Sequence, residues 1–188
     1  MKKIGITGSL SSGKTSASRF LSYKKGPLFS ADAIVKNLYK KNNFKKLVKK
    51  KLKIDKTKNL KKILKNKILT DINYIKKLEK IIHPLVRKEM SLFIEKNKKK
   101  KFAFFEIPLL IESKLMKRFD IIFFIKSKKS SRLKRFIKKG GNQKLFQILN
   151  NKQLNDKIKI KHCNHVVLND KNLKMLKKNL LDIFKKYE

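Results

Sequence analysis

Apolar residues along this chain fall into two patterns, short continuous runs and longer stretches in which they recur every three or four positions. Continuous runs are typical of strands buried on both faces, and the spaced pattern is typical of helices with one buried face. The runs predict five strands, at residues 2–7, 28–30, 101–107, 119–125 and 165–168. Because helical stretches separate these runs, the sequence predicts a parallel α/β sheet that helices cover on both faces.

Helical spacing begins directly after the first strand and returns after each later one. Ala17, Phe20 and Leu21 mark the first helix, which is predicted to begin at Gly13. The same spacing predicts further helices, from Ile34 to Tyr39, around Leu133 and Phe136, from Leu145 to Leu149 and from Leu173 to Phe184. A Gly140-Gly141 pair predicts a break between the second and the third of these.

The segment from Phe44 to Lys100 contains no glycine and one proline, which indicates a helical insertion in the core. Its apolar residues keep helical spacing throughout, at Leu47, Val48, Leu52, Leu60, Ile63, Leu64, Ile68, Ile72, Ile75, Leu78, Ile81, Ile82, Leu85 and Val86. Because proline lacks the amide donor of a helix interior, we expect one helix to stop near Ile82. A second helix is expected to start with His83 near its N-cap and Pro84 in its first turn.

Length and composition indicate a globular protein of one domain with this insertion. The chain has 188 residues, 40% of them hydrophobic, and one cysteine, Cys163, which excludes an intrachain disulfide and a cysteine zinc cluster. The apolar runs are far shorter than the ~20 residues of a membrane span. A Gly- and Ser-rich turn follows the first strand where the apolar region of a signal peptide would have to continue. We therefore expect a cytoplasmic protein with no membrane partner.

The formal net charge of +40, from 53 basic and 13 acidic residues, has two interpretations. A basic surface binds nucleic acid by releasing counterions from phosphates. Alternatively, lysine is simply the usual exposed residue of this chain. Five of the basic residues are arginine, and the lysines are spread over the whole sequence, so the second interpretation is favoured. Any affinity for nucleic acid is then expected to be non-specific.

Gly8, Gly13, Lys14 and Thr15 match the pattern G-x-x-x-x-G-K-[ST], between the first predicted strand and the first predicted helix. Glycines let successive amides face a phosphate, the lysine reaches the β- and γ-phosphates, and the hydroxyl holds Mg²⁺. A plain Gly- and Ser-rich turn is the alternative, and the strand-to-helix context favours a nucleoside triphosphate site. The residues predicted to contact the nucleotide are Gly8, Ser11, Ser12, Gly13, Lys14, Thr15 and Ser16, and Lys14 is also predicted to be catalytic.

Several segments in this order together resemble the dephospho-coenzyme A kinase family. They are residues 4–15, 29–34, 78–87 and 105–112, followed by a lid-like segment at 133–139 and a final stretch at 153–169. The resemblance implies transfer of the γ-phosphoryl group of ATP, with Mg²⁺, to the 3′-hydroxyl of the ribose of dephospho-coenzyme A. It also implies a P-loop kinase fold with about five parallel strands, a helical acceptor-binding insertion and a lid.

The resemblance divides the chain by role. Residues 1–40 and 101–188 would form the nucleotide-binding core, with a lid at about 130–150, and residues 41–100 would bind the acceptor. We expect a monomer. Two alternatives remain open at this point. One is another nucleotide or nucleoside kinase of similar build, and the other is a P-loop RNA-binding or ribosome-associated NTPase, which the charge suggests.

Two carboxylates are candidates for the chemistry. Asp32 follows the second predicted strand, where it could orient the attacking hydroxyl and accept its proton, or instead cap the helix that starts there. Glu106 ends the third predicted strand, where it could join Thr15 in holding Mg²⁺, or pair with one of the many lysines. Asp32 aligns with the second aspartate of the family's D-A-D segment, and Ser30 stands where the family has the first, so this chain lacks one carboxylate of the expected motif.

The resemblance to the family is the basis for assigning residues to acceptor binding and to the lid. It assigns His83, Arg87, Pro108 and Leu109 to acceptor binding. His83 could instead cap or pack a helix, and Arg87 could pair with Glu79. Arg135 is expected to be catalytic and, with Lys139, to bind the ATP phosphates from the lid. In the lid, Lys139 stands where the family has arginine. In the C-terminal motif, Lys159 keeps a basic position and Cys163-Asn164 replaces Ala-Asp.

Overall fold

The computed structural model describes residues 1–54, 59–71 and 73–188, and its central feature is a five-stranded parallel sheet. The strands are β1 (Lys2–Gly8), β2 (Leu28–Ser30), β3 (Phe102–Glu106), β4 (Ile121–Lys126) and β5 (His165–Leu168), in the spatial order β2-β3-β1-β4-β5. In the middle strand β1, Lys2 aligns with Phe102 of β3 and Ile4 with Ile121 of β4. The predicted parallel sheet is therefore confirmed.

Nine helices are found in the described part of the chain. They are α1 (Lys14–Ser22), α2 (Ala31–Leu38), α3 (Asn42–Lys51), α4 (Leu60–Thr70), α5 (Asn73–Lys96), α6 (Lys129–Lys138), α7 (Gln143–Lys152), α8 (Asp156–Ile160) and α9 (Leu173–Phe184). None of these described helices is both long enough and apolar enough to cross a lipid bilayer. Helix α8 was not predicted from the sequence, because five residues are too few to show a helical period.

The described residues divide into two compact units, one formed by residues 1–30 and 96–188 and the other by residues 31–95. In the first unit, the sheet packs on helices α1 and α9. Phe184 of α9 is fully buried, with its ring 5.4 Å from that of Phe102 and 5.8 Å from that of Phe104. Burying side chains of this size stabilises the fold by about 1.5–3 kcal/mol each. This packing fixes the ends of β1, β3 and β4, where the functional residues lie.

The second unit contains α2, α3, α4 and most of α5 around its own apolar cluster. Phe44, Val48, Leu64, Tyr74 and Ile82 are buried in that cluster. The hydroxyl of Tyr74 donates a hydrogen bond to the Leu52 carbonyl. The helical insertion is thus confirmed. Ile72, one of its predicted apolar positions, lies outside the described residues.

The predicted helix break at Pro84 is wrong. Pro84 lies inside α5, and His83 occupies the interior of that helix rather than an N-cap. An interior proline costs a helix about 3 kcal/mol. Apolar residues on both sides of it, Ile82 and Leu85 among them, pack on the cluster of the second unit. Because each buried side chain contributes about 1.5–3 kcal/mol, the packing of a continuous helix outweighs the cost of the proline.

Candidate phosphate-binding site

The loop between β1 and α1 has the backbone of an anion-binding loop. Gly8, Ser11 and Gly13 have φ angles of 148°, 57° and 102°, in the left-handed region. A Cβ atom at Gly8 would lie 2.4 Å from the Ile125 carbonyl oxygen, and one at Gly13 would lie 2.1 Å from the side-chain nitrogen of Asn169. Glycine is therefore required at Gly8 for space as well as for conformation, and at Gly13 for conformation, since a side chain there would also displace Asn169.

Lys14 lies at the start of α1 and is 8% exposed. Its Nζ atom donates hydrogen bonds to the carbonyl oxygens of Gly8, at 3.0 Å, and Ser9, at 2.8 Å. The loop is therefore wrapped around the ammonium group that the sequence assigned to a phosphate. The N-terminal end of α1 adds further positive potential at the same place.

Glu106 connects two neighbouring strands with the start of α1. It is 2% exposed, its Oε1 atom accepts a hydrogen bond from the Thr15 hydroxyl at 2.5 Å, and its Oε2 atom accepts one from the Ser30 hydroxyl at 2.9 Å. The structure thus brings together Thr15 and Glu106, the pair proposed from the sequence for Mg²⁺. Carboxylate and hydroxyl oxygens are hard donors of the kind that Mg²⁺ prefers, so the donor set fits this ion.

Ser30, which replaces a family aspartate, also belongs to this oxygen cluster. No cluster of three or more His, Cys, Asp or Glu side chains occurs among residues 1–54, 59–71 and 73–188. An ion at Thr15 and Glu106 would therefore need water and phosphate oxygens for its remaining ligands, as Mg²⁺ commonly does.

Arg135 of α6 lies against the phosphate loop. Its guanidinium donates to the Asn169 carbonyl at 2.8 Å, to the Ser127 hydroxyl at 3.0 Å and to the Ser12 carbonyl at 3.4 Å. Lys139 is exposed and lies one residue beyond the end of α6. The structure therefore brings Arg135, but not Lys139, into contact with the loop.

Three residues that hold the loop were not predicted as site residues. The buried side chain of Asn169 donates to the Ser12 carbonyl at 2.7 Å, and Gln153 accepts a hydrogen bond from the Leu10 amide at 3.0 Å. Arg132 donates to the Leu10 carbonyl at 3.4 Å. The sequence offered two signals for these residues. Gln153 and Asn169 are the first and last residues of the C-terminal segment that resembles the family, and Arg132 is one of five arginines in a lysine-rich chain.

A polar cavity of about 380 Å³ adjoins the beginning of the loop. It is lined by Ser9, Arg132, Asn150, Asn151, Gln153, Leu154, Asn155 and Asp156. The Asp156 carboxylate accepts a short hydrogen bond from the Ser9 hydroxyl. Helix α8, which carries Asp156, is therefore tied directly to the phosphate loop.

Lys159 is buried and forms its contacts within the protein. It is completely buried, and its Nζ atom lies 2.7 Å from the Glu112 carboxylate and 3.4 Å from Gln153 Oε1. Asn164 pairs with β4 through its side chain, which accepts a hydrogen bond from the Ile122 amide at 2.8 Å. Burial raises the pKa of Cys163 to about 12, against a smaller lowering effect of Lys159, so this thiol stays protonated and unreactive at neutral pH.

The remaining predicted residues are divided between the two units. Pro108 follows β3 in the first unit, where its carbonyl accepts a hydrogen bond from the Thr7 hydroxyl at 3.2 Å, and Leu109 is the next residue. Asp32, His83 and Arg87 belong to the second unit. Asp32 is exposed in the first turn of α2, and His83 and Arg87 lie one turn apart on α5.

Comparisons with known proteins match almost the whole chain. The family model described as dephospho-CoA kinase matches residues 2–175. Dephospho-CoA kinase of Bartonella henselae is 30% identical over 98% of this chain and 97% of its own length. That of Rickettsia typhi is 33% identical over 100% of this chain and 98% of its own. The solved structure of dephospho-CoA kinase from Campylobacter jejuni is 19% identical, covers 100% of this chain and 97% of its own, and has a TM-score of 0.63.

Proposed function

The chain belongs to the dephospho-CoA kinase family, and we propose how its own residues carry out the reaction of that family. The protein is a kinase that transfers the γ-phosphoryl group of ATP to the 3′-hydroxyl of the ribose of dephospho-CoA. CoA and ADP are the products, and the reaction is the last step of CoA biosynthesis. The observation that carries this function is the family match from residue 2 to residue 175.

The proposed ATP site is the phosphate loop of residues 8–16. Its backbone amides and the N-terminal end of α1 bind the β- and γ-phosphates. Lys14 exchanges its hydrogen bonds to the Gly8 and Ser9 carbonyls for phosphate oxygens. The support for this assignment is that its ammonium group is already buried inside the loop, where it neutralises charge on the transferring group.

We assign Mg²⁺ to the oxygen atoms of Thr15 and Glu106. When bound, the ion supplies charge neutralisation on the β- and γ-phosphates. Thr15 offers its hydroxyl as a ligand, and Glu106 holds the ion directly or through water. Because Ser30 donates to the same carboxylate, it keeps Glu106 oriented when Thr15 turns toward an ion.

The residues proposed for acceptor binding in the second unit are Asp32, His83 and Arg87. Pro108 and Leu109, which follow β3 in the first unit, carry the same assignment from the resemblance. Asp32 orients the 3′-hydroxyl and accepts its proton as the new O–P bond forms and the bond from the γ-phosphorus to the bridging oxygen of ADP breaks. Arg87 and His83 bind the phosphate groups of dephospho-CoA.

The proposed lid comprises residues from about 130 to 150, and Arg135 is its catalytic residue. Its guanidinium lies against the loop, with a hydrogen bond to the Ser12 carbonyl, and this position supports a role in binding the ATP phosphates. Lys139 supports it only as a diffuse positive charge, because it is exposed and lacks the bidentate donor pair of an arginine.

The function is tested by offering ATP and Mg²⁺ with one acceptor at a time. We expect ADP release with dephospho-CoA and none above background with adenosine, adenosine monophosphate or a sugar acid. Mass spectrometry and ³¹P NMR of the product should show one added phosphate, on the 3′-oxygen. Release of ADP only in the presence of RNA would contradict the proposal and favour an RNA-stimulated NTPase.

The magnesium assignment predicts the behaviour of Glu106→Gln. Glutamine can still bond with the Thr15 and Ser30 hydroxyls, so the fold is retained, but the negative charge is lost. We expect the Mg²⁺ concentration for half-maximal activity to rise about tenfold, the typical cost of losing one charge-assisted contact. Glu95→Gln, at an exposed position of α5, is the control and should match the wild type. An unchanged Mg²⁺ requirement would remove Glu106 from the site.

A further inference from the structure

Arg132 is a buried arginine to which neither the sequence motifs nor the reaction assigns a role. Its side chain is 6% exposed and lies among the phosphate loop, the end of β4 and helix α7. Nε donates to the Ser127 carbonyl at 3.2 Å, and one terminal nitrogen donates to Asn150 Oδ1 at 2.7 Å and to the Leu10 carbonyl at 3.4 Å. The guanidinium carbon lies 5.7 Å from the centroid of the Phe146 ring.

Keeping this charge buried is costly, which argues against a role in packing alone. Burial lowers the pKa of Arg132, and the nearby Asp156 carboxylate opposes that effect in part. A buried ion costs several kcal/mol unless good hydrogen bonds compensate it. An apolar side chain would hold α6 on Phe146 without that cost. What the guanidinium adds is a set of hydrogen bonds directed in one plane, and one of them reaches the phosphate loop.

The bond to the Leu10 carbonyl has a geometric consequence for the next amide. In a trans peptide, the carbonyl of one residue and the N–H of the next point in opposite directions. Arg132 holds the Leu10 carbonyl toward its guanidinium, so the Ser11 N–H points to the opposite side of that peptide. Ser11 has the left-handed φ of 57°, which costs a non-glycine residue energy and therefore needs such support.

The neighbouring peptides are also held by side chains. The Leu10 N–H donates to Gln153, so the Ser9 carbonyl on the other side of that peptide faces Lys14. The Ser12 carbonyl, like the Leu10 carbonyl, accepts hydrogen bonds from side chains, here those of Asn169 and Arg135. The peptide of Ser12 and Gly13 is thus oriented as that of Leu10 and Ser11 is. Arg132, Gln153, Asn169 and Arg135 thus all form hydrogen bonds to backbone groups of the loop.

We propose that Arg132 is a positioning residue for ATP, which holds the Leu10 carbonyl outward so that the Ser11 amide faces the triphosphate. The inference rests on the proposed ATP site, and it adds a specific amide and the side chain that aims it. Because the same nitrogen also bonds to Asn150, α7 and the loop are held in one arrangement. Arg132 acts on nucleotide binding through the loop and does not touch the acceptor.

Arg132→Lys is the informative variant. Lysine keeps the positive charge but lacks the planar donor set, so it cannot serve the carbonyls of Ser127 and Leu10 and the side chain of Asn150 together. We expect the KM for ATP, and the Kd of a non-hydrolysable ATP analogue measured by calorimetry, to rise about tenfold. The KM for dephospho-CoA and kcat should stay within about twofold, because the lost contact serves ATP in the ground state and the transition state alike.

The matched control is Arg118→Lys, the same change at an exposed arginine, which should leave every constant unaltered. Thermal unfolding of both variants without nucleotide checks the fold. Wild-type affinity for the analogue in a folded Arg132→Lys protein overturns the proposal, as does an equal rise in KM for both substrates. Because analogue binding needs no acceptor, this result is independent of whether dephospho-CoA is the substrate.

Discussion

Lys14→Met is expected to abolish measurable ATP binding and to lower kcat/KM at least about a thousandfold, as the loss of a preorganised charge at a transferring phosphoryl group does. Methionine has nearly the length of lysine and fills the same space, but it carries no charge and no donor. The measurements are calorimetry with a non-hydrolysable ATP analogue and steady-state ADP release with dephospho-CoA as acceptor.

The effect should be large because Lys14 both attracts the phosphates and holds the backbone of the loop. Lys14 is 8% exposed, and its ammonium group holds the Gly8 and Ser9 carbonyls in the free protein. Without it, both carbonyls lose a charged donor, although the Ser9 carbonyl keeps its hydrogen bond from the Ser12 amide. Hydrogen bonds to charged groups contribute about 1.5–3 kcal/mol. The variant therefore loses the attraction for the phosphates and part of the shape of the loop, and its melting temperature should fall as well.

Lys178→Met is the control for Lys14→Met, since it removes one exposed lysine from α9 and alters the net charge equally. It should bind and react as the wild type does. If Lys14→Met bound the analogue within about threefold of the wild-type affinity, the assignment of the loop to ATP would be wrong, because the buried charge would then contribute under 1 kcal/mol.

The sheet and the phosphate loop were predictable because their signals are local. Runs such as Ile121–Ile125 are apolar at every position, which few structures other than a central parallel strand require. The loop motif combines glycines with a lysine and a hydroxyl residue in eight consecutive positions, and the structure puts left-handed φ angles at both of its glycines.

The error at Pro84 shows the limit of local rules. The rule that proline ends a helix concerns the backbone of one turn, whereas the outcome here depends on the apolar residues that α5 buries on both sides of that turn. The sequence contains those residues, but it does not show that they share one cluster with α3 and α4.

The side chains that form hydrogen bonds to the backbone of the loop could not be predicted from the sequence, and the reason is related. Asn169 and Ser12 are 157 positions apart, Leu10 and Gln153 are 143 apart, and Arg132 and Leu10 are 122 apart. No spacing rule operates over such distances. These contacts exist because β4 lies beside β1 in the sheet and β5 lies beside β4, so the segments that follow these strands meet the loop.

Asp32→Asn is expected to lower kcat by about two to four orders of magnitude, the usual contribution of a positioned general base. ATP binding should be unchanged, since Asp32 lies outside the loop, in the first turn of α2. The helix should lose less than about 1 kcal/mol, the usual value of one carboxylate near a helix N-terminus. Single-turnover phosphorylation measures the loss in kcat, and binding of the non-hydrolysable analogue measures ATP affinity.

The control for charge is Asp182→Asn at an exposed position of α9, which should retain full activity. Turnover within about threefold of the wild type in Asp32→Asn would remove Asp32 from the chemistry, because a general base contributes at least about a hundredfold. The proton would then need another acceptor.

Comparison of Asp32→Asn with Asp32→Ala separates the two roles proposed for the carboxylate. Asparagine keeps an oxygen that accepts a hydrogen bond from the 3′-hydroxyl but cannot take its proton, whereas alanine can do neither. If orientation dominates, the asparagine variant should be well above the alanine variant. If proton acceptance dominates, both should be equally slow. Since the loss expected for Asp32→Asn is that of a general base, we expect proton acceptance to dominate and the two variants to differ by less than about threefold.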